Sequence, residues 1–168
     1  ADVQVAMPME HFDHVTARLT LSRQGKVAYT MEKPVVTQAF RCMWSLDHAD
    51  LWWPRGYGEQ ALYDVKAELI DKTGKVLAEN KQRIGLRTVK LDLNDMNTAD
   101  NPGRFRFYVN GEPIFIHGTN WVPLDALHSR DTLHVDKMMD MVADLNINMI
   151  RCWGGNVYED SHFFDRCD

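Results

Sequence analysis

Apolar and polar residues alternate with a period of two along roughly the first ninety residues. One such run extends from Val15 to Ser22, where the residues of one face are apolar: Val15, Ala17, Leu19 and Leu21. Alternation predicts strands with one buried face, and turn signals such as residues 71–74 divide the region into about seven strands at the spacing of a sandwich. We therefore expect residues 1–93 to form an antiparallel β-sandwich domain.

The pattern changes after a polar stretch at 94–103 that is rich in turn-forming residues. Such a stretch indicates a linker between two domains. Beyond it, Asn110-Gly111 lies between apolar runs and predicts a hairpin turn. The continuous apolar run 114–116 then predicts a strand that is buried on both faces of a parallel sheet.

Helical periodicity follows this strand. The apolar residues at helical spacing are Val135, Met138, Met139, Val142 and Leu145, and Asp131-Thr132 offers an N-cap. A strand at 148–152 and a second helix from about Tyr158 complete the pattern. Because strands alternating with helices form parallel β/α units, we expect residues 104–168 to be the first two units of a larger β/α fold that is truncated here.

The amino-acid composition of the chain limits the kinds of partner that it can bind. The 168 residues are 45% hydrophobic and 26% charged, which is typical of a folded globular chain. A net charge of -5 without a basic stripe argues against nucleic acid, and apolar runs far shorter than ~20 residues argue against a membrane span. The three cysteines and the scattered histidines lack metal-ligand or disulfide spacing, so we expect neither a metal site nor a cofactor.

The candidate chemistry lies at the two predicted strand ends, because parallel β/α folds place their sites at the carboxyl ends of the strands. Asn120 and Trp121 follow the first strand, and Arg151 and Trp153 follow the second. An indole can stack on the apolar face of a sugar, while guanidinium and amide groups can bind its hydroxyls. The alternative is that both tryptophans are packing residues at the rim and that Arg151 forms a structural ion pair.

Glu159-Asp160 does not provide a catalytic pair. A retaining glycosidase needs two carboxyl groups about 5 Å apart on either side of the sugar, whereas adjacent residues near a helix start point in different directions. The favourable interaction of acidic residues with the helix dipole is a sufficient structural reason for both.

Several motifs resemble the β-mannosidase branch of glycoside hydrolase family 2. Residues 51–63, LWWPRGYGEQALY, and 83–88, RIGLRT, are similar to the sandwich domain of that branch. This similarity implies that the sandwich of residues 1–93 is immunoglobulin-like. Residues 107–116, FYVNGEPIFI, are similar to the start of its catalytic barrel, and 120–125 with the later Arg130 are similar to its first loop. The resemblance therefore implies that residues 104–168 are the first two β/α units of a truncated (β/α)8 barrel. Residues 148–159, NMIRCWGGNVYE, are similar to its second strand and loop. The galactosidase and glucuronidase branches carry a His-Tyr-Pro-type segment where this chain has WGGN, which favours the mannosidase branch.

The resemblance implies a retaining exo-glycosidase that hydrolyses terminal non-reducing β-D-mannose. It also implies that Trp153 forms a wall of the terminal sugar subsite and that Arg151 supports the catalytic carboxylates, with Asn120 and Trp121 as further site residues. The family's acid/base lies in an Asn-Glu pair and its nucleophile lies further along the chain, yet no Asn-Glu pair follows residue 104. We therefore expect this chain to be an inactive fragment that lacks both catalytic glutamates, which lie beyond its C-terminus.

Three alternatives remain open at this stage. The parent could be a related exo-β-glucosaminidase or a β-galactosidase-type enzyme. The chain could instead be a standalone carbohydrate-binding or interaction module that stacks glycans on Trp52 and Trp53.

In a truncated chain the apolar face of the first helix would lack its barrel partners, so we also expect self-association.

Overall fold

The computed structural model describes residues 2–5, 14–94, 98–100, 102–155 and 157–168. Two compact units are formed, Ala1–Asp50 with Leu62–Leu86 and Leu51–Ala61 with Arg87–Asp168. The first unit contains β1 (Asp2–Gln4), β2 (Thr16–Arg23), β3 (Lys26–Pro34), β4 (Ala39–Arg41), β5 (Leu62–Ile70) and β6 (Val76–Gly85). The second contains β7 (Val89–Asn94), β8 (Arg104–Val109), β9 (Glu112–Ile114), β10 (Gly118–Trp121), a 3-10 turn (His128–Arg130), α1 (Thr132–Asp144), β11 (Met149–Cys152) and α2 (Ser161–Cys167).

The first unit is an antiparallel β structure. Its four-stranded sheet has the order β3-β2-β5-β6, and β1 pairs with β4 in a second sheet. The alternation in β2 buries one face of the strand, and its residue Ala17 packs in a core with Val5, Val15 and Val35. Phe40 of β4 packs against the same core, so side chains from both sheets share it. The predicted mainly β fold with antiparallel sheets is confirmed.

The second unit begins with the three-stranded antiparallel sheet β7-β8-β9. The predicted Asn110-Gly111 turn is present, with positive φ angles of 52° and 86° at its two residues. Strand β7 pairs with β8 from Val89 opposite Val109 to Asn94 opposite Arg104, so the expected linker joins neighbouring strands of one sheet. Several linker residues lie outside the described part of the chain, and the domain boundaries drawn from sequence stay a prediction.

The predicted parallel strand at 114–116 was wrong in position. The hairpin turn folds residues 112–114 back against β8, so Ile114 ends an antiparallel strand, and Phe115 is 80% exposed. The first strand of the parallel pair is instead β10, and it pairs with β11 in the register Gly118–Met149 to Trp121–Cys152. Helix α1 lies between these strands in the sequence. The second helix also begins later than predicted, at Ser161.

The apolar face of α1 is covered, contrary to the expectation of a bare face. Val135 and Met139 are buried in a cluster with Trp121 and Phe163, because β10 and α2 supply the partners for this face. Met138 and Val142 pack against the same cluster. The expected self-association therefore loses this support and stays a prediction.

Within the described residues, no helix is long and apolar enough to cross a membrane.

Candidate functional site

The in-register pairing of β10 with β11 places Asn120 beside Arg151. The Nη1 atom of Arg151 donates a hydrogen bond to Oδ1 of Asn120 at 3.3 Å, and both residues are exposed. Within the described part of the chain, the Arg151 guanidinium thus contacts an amide and forms no structural ion pair with a carboxylate. Both groups keep further N–H donors that can bind a hydroxyl or a carboxylate.

Trp121 lies in the core of the second unit. Its side chain is only 3% exposed, and its ring centroid lies 4.9 Å from that of Phe163. Its Nε1 donates to Oε1 of Glu159 at 3.1 Å, so the polar end of the indole has a partner as well. This environment fits the packing interpretation that the sequence left open, because neither face of the ring is available to a ligand.

Trp153 has the opposite environment. The residue follows β11, and its backbone N–H donates to the carbonyl of Trp121 at 2.9 Å. Its side chain is 51% exposed, and its benzene ring lies against Gly155. Of the two predicted sugar platforms, Trp153 is therefore the one with an accessible ring. Asn156, which belongs to the same motif, lies outside the described residues.

The two adjacent acidic residues take part in separate contacts. Glu159 accepts the Trp121 indole N–H, whereas Asp160 precedes α2 and its carbonyl accepts the N–H of Phe163 at 3.0 Å. The Asp160 side chain makes no capping hydrogen bond. The structure therefore shows a positioning contact for Glu159 beside Trp121.

A buried carboxylate in the segment after β10 was missed by sequence reasoning. Asp131 is 2% exposed, and it accepts the backbone N–H of Asp125 at 2.7 Å while its Oδ2 lies 3.0 Å from Nδ1 of His128. Its side chain makes no capping bond to α1, so the predicted N-cap was wrong in its chemistry. The carboxylate instead serves the part-buried N–H of Asp125 and the His128 ring in the loop, which an isolated Asp-Thr pair in the sequence does not reveal.

Asp125 forms the outer part of this acidic cluster. The backbone N–H of Leu127 and the charges of Arg130 and His134 hold the pKa of Asp125 below its usual value. Nε of Arg130 lies 3.4 Å and Nε2 of His134 lies 3.6 Å from Oδ2 of Asp125. The presence of Asp125 and Arg130 close together in the sequence was the signal that could have predicted this ion pair. Among the described residues, no group of three or more histidine, cysteine or acidic side chains is arranged to hold a metal ion.

The thiols of the second unit are not activated as nucleophiles. Cys152 and Cys167 are free cysteines. Both residues are exposed, but partial desolvation raises the pKa of Cys152 and raises the pKa of Cys167 to about 11. Both groups therefore stay protonated at neutral pH.

The tryptophans of the segment 51–61 are engaged in local contacts. The guanidinium of Arg87 lies over the ring of Trp52, 4.3 Å from its centroid, and Asn110 donates to the Trp52 carbonyl at 3.0 Å. The side chain of Trp53 lies against Gly58. These contacts give the segment a packing role, and nothing in them favours glycan stacking.

Comparison with known proteins identifies relatives of this arrangement. The sequence model of the family described as Glycosyl hydrolases family 2 matches residues 1–87. A probable beta-mannosidase of Caenorhabditis elegans is 39% identical over 117 residues, which are 67% of this chain and 12% of the relative. Beta-mannosidase B of Emericella nidulans is 34% identical over 158 residues, which are 90% of this chain and 18% of the relative.

A solved structure shows the same fold. The beta-D-mannosidase of Dictyoglomus thermophilum superposes with a TM-score of 0.77 at 29% identity, over 91% of this chain and 19% of that protein. The chain thus spans less than a fifth of the length of each of these three relatives. The similarity to the solved structure extends over both units described above.

Proposed function

This chain belongs to family 2 of the glycosyl hydrolases, and we propose that it is part of a retaining exo-glycosidase that hydrolyses terminal non-reducing β-D-mannose. The observation that carries the proposal is the half-exposed ring of Trp153 at the end of β11, in a strand pair that also presents Asn120 and Arg151. The names of the three relatives, two beta-mannosidases and one probable beta-mannosidase, support the choice of sugar.

Different side chains would bind different parts of the sugar. A pyranose has apolar C–H faces and a rim of hydroxyl groups, so Trp153 would stack on a face while Asn120 and Arg151 would bind the rim. The Arg151 guanidinium also suits a carboxylate partner, which matches support of a catalytic acid. Buried Trp121 positions this wall, because its carbonyl accepts the backbone N–H of Trp153.

We further propose that β10, α1, β11 and α2 are the first two β/α units of a (β/α)8 barrel. The parallel pairing of β10 with β11, with α1 between them in sequence, supports this assignment. Active sites of such barrels lie at the carboxyl ends of the strands, which is where Trp121 and Trp153 occur.

The reaction needs two carboxyl groups that this chain does not supply. In a retaining mechanism one glutamic acid protonates the leaving oxygen, and a second glutamate attacks the anomeric carbon to form a covalent intermediate that water then hydrolyses. After residue 104 the sequence has two glutamates, Glu112 in the β8–β9 hairpin and Glu159 on the Trp121 indole. We propose that both catalytic glutamates belong to other parts of the longer protein and that the 168-residue chain alone is inactive.

The test uses the longer protein that contains this chain and an aryl β-mannoside. We expect hydrolysis of the mannoside in preference to the matching β-glucosaminide and β-galactoside, and no turnover by the 168 residues alone. Trp153→Ala should lower kcat/KM about tenfold or more, since it removes a stacking surface. Phe164→Ala is the matched control, because Phe164 is also 51% exposed but lies on α2.

Two results would contradict the proposal. Preference for the glucosaminide or the galactoside would assign a different sugar to the same site. Equal activity of Trp153→Ala and the unmodified protein would leave Trp153 as a surface residue without a role in binding. Titration of the 168-residue chain with mannose oligomers, followed by tryptophan fluorescence, tests the remaining alternative of a standalone binding module.

A further inference from the structure

Gly155 lies directly against the indole of Trp153. A Cβ atom placed on Gly155 would lie 2.5 Å from Cη2, 2.6 Å from Cζ3 and 2.8 Å from Cζ2 of Trp153. Separations under 3.0 Å are essentially never found around real Cβ atoms. The benzene ring of Trp153 therefore occupies the space that any side chain at position 155 would need.

The glycine at 155 is required by space and not by backbone conformation. Its φ angle lies outside the left-handed region, so other residues could adopt the same backbone. The neighbouring Gly154 also has an ordinary φ, and a Cβ placed there would meet nothing within 4 Å. Two adjacent glycines thus differ in one respect, which is contact with the Trp153 ring.

An added methyl group on Gly155 would force the half-exposed Trp153 ring to move. The backbone N–H of Trp153 is bonded to the Trp121 carbonyl, which anchors the main chain at the strand end. The clashing atoms belong to a rigid aromatic ring, so the ring must rotate about χ1 or χ2 as a body. Such a rotation changes the direction in which the exposed face points.

We propose that Gly155 is a positioning residue that sets the orientation of the Trp153 ring toward the terminal sugar. The inference rests on the proposed function, since it concerns the same sugar subsite. The requirement it adds is a glycine at 155: the ring has to lie flat over the backbone of Gly155 for its outer face to form the wall of the subsite. Glycine at 154 carries no such requirement.

A second tryptophan–glycine contact in the same unit provides an internal control. A Cβ placed on Gly58 would lie 2.8 Å from Cγ and from Cδ1 of Trp53. This contact lies in the segment 51–61, to which we assign no sugar. Gly58→Ala should therefore disturb a tryptophan ring without affecting Trp153.

The first experiment reads the ring directly in the 168-residue chain. The five tryptophans are labelled with 4-fluorotryptophan, whose fluorine lies on Cε3, which is next to Cζ3 but is not one of the three atoms over Gly155, and Trp153→Phe assigns the resonance. Gly155→Ala should shift the Trp153 fluorine resonance, Gly154→Ala should leave it in place, and Gly58→Ala should shift another resonance. An unshifted Trp153 resonance in Gly155→Ala, or an equal shift in Gly154→Ala, would overturn the proposal.

A second variant covers the case in which Gly155→Ala does not fold. Trp153→Phe removes Cζ2, Cζ3 and Cη2, so Gly155→Ala should be tolerated in that background and the remaining tryptophan resonances should return to their native positions. Failure of this rescue would show that the glycine serves something other than the Trp153 ring, and would overturn the proposal.

The second experiment measures kcat/KM for an aryl β-mannoside in the longer protein. Gly155→Ala should lower it about tenfold, as Trp153→Ala does, and the double variant should be no worse than Trp153→Ala alone. Additive losses, or a shifted resonance with unchanged kcat/KM, would overturn the role in orientation. If the longer protein hydrolyses no mannoside, the proposed function fails and the sugar role of Gly155 with it, whereas the fluorine result still decides the ring contact by itself.

Discussion

The end of β10 and the end of β11 lie side by side in one parallel pair, and each carries a tryptophan in a different environment. Trp121 is 3% exposed and packs against Phe163, whereas Trp153 is 51% exposed and lies over Gly155. The indole N–H of Trp121 is bonded to Glu159. The same residue type thus supports the core at one strand end and offers a surface at the other.

The difference arises from the segment that comes after each strand. After β10 the chain forms a loop anchored by the buried Asp131 and then enters α1, whose Val135 and Met139 cover the Trp121 ring. After β11 the chain continues into Gly154 and Gly155, which have no side chains to cover Trp153. Exposure of an aromatic ring therefore depends on the segment behind it as much as on the strand that carries it.

The largest expected effect separates the two tryptophans by stability. Trp121→Ala should lower the free energy of unfolding of the second unit by about 3–5 kcal/mol, since it removes a large buried ring. Trp153→Ala should cost no more than about 1 kcal/mol, because half of the side chain is already in water. Urea unfolding of the chain, with amide hydrogen exchange in α1 and β11 as the probe, measures the change in the free energy of unfolding for both variants.

Trp121→Phe provides the control for the polar end of the ring. It keeps an aromatic ring in the core but removes the N–H that Glu159 accepts, so its effect should fall between those of the two alanine variants. Equal destabilisation by Trp121→Ala and Trp153→Ala would contradict the comparison, since it would mean that Trp153 also supports the core.

A medium effect is expected from the anchored loop after β10. Asp131→Ala removes a buried carboxylate and leaves the part-buried N–H of Asp125 and Nδ1 of His128 without this partner, which should cost about 1–3 kcal/mol. Asp136→Ala is the matched control, because its carboxylate pairs with His162 and Arg166 at the surface of α1, where such pairs contribute ~0–1 kcal/mol. A comparable loss in both variants, measured by urea unfolding, would refute the anchoring role of Asp131.

Local patterns in the sequence predicted much of the fold. The alternation of Val15 to Leu21 and the Asn110-Gly111 turn depend on neighbours along the chain, and both predict the observed strands and hairpin. The apolar run 114–116 did not, because periodicity alone cannot tell an apolar segment of a hairpin from a buried parallel strand. The tight turn, and not the apolar character of Phe115, determined where that segment lies.

The candidate site depends on contacts that are distant in sequence. Asn120 and Arg151 meet because of the register between β10 and β11, which no local motif specifies. Likewise, Trp121 is buried by residues of α1 and α2, so its environment could not be separated from that of Trp153 by residue type. The carboxylate of Asp131 serves the loop before the helix, although the pattern of an N-cap pointed to α1.

The smallest expected effect distinguishes the two strand ends by pH. The pKa of Asp125, in the loop after β10, is lowered, chiefly by the Leu127 N–H and then by the charge of Arg130. A lowered pKa in the folded state means that the unfolded carboxyl binds its proton first, so this contribution is complete above the ordinary value of 3.8 and is lost as the pH falls below it. Asp125→Asn should flatten the acid end of the stability profile.

The end of β11 should respond in the alkaline range instead. Burial and the charge of Glu159 raise the pKa of Cys152, so the unfolded thiol loses its proton first, and this contribution is present below the ordinary value of 9.0 and lost as the pH rises above it. Cys152→Ser should reduce the alkaline loss but not remove it, because the pKa of Cys167 is raised to about 11 and the hydrogen bond to Glu68 raises the pKa of Lys66. Thermal unfolding followed between pH 3 and pH 11 measures both limbs. If Cys152→Ser altered the acid limb or Asp125→Asn the alkaline limb, the two strand ends would not titrate independently, and the contrast between them would have to come from packing alone.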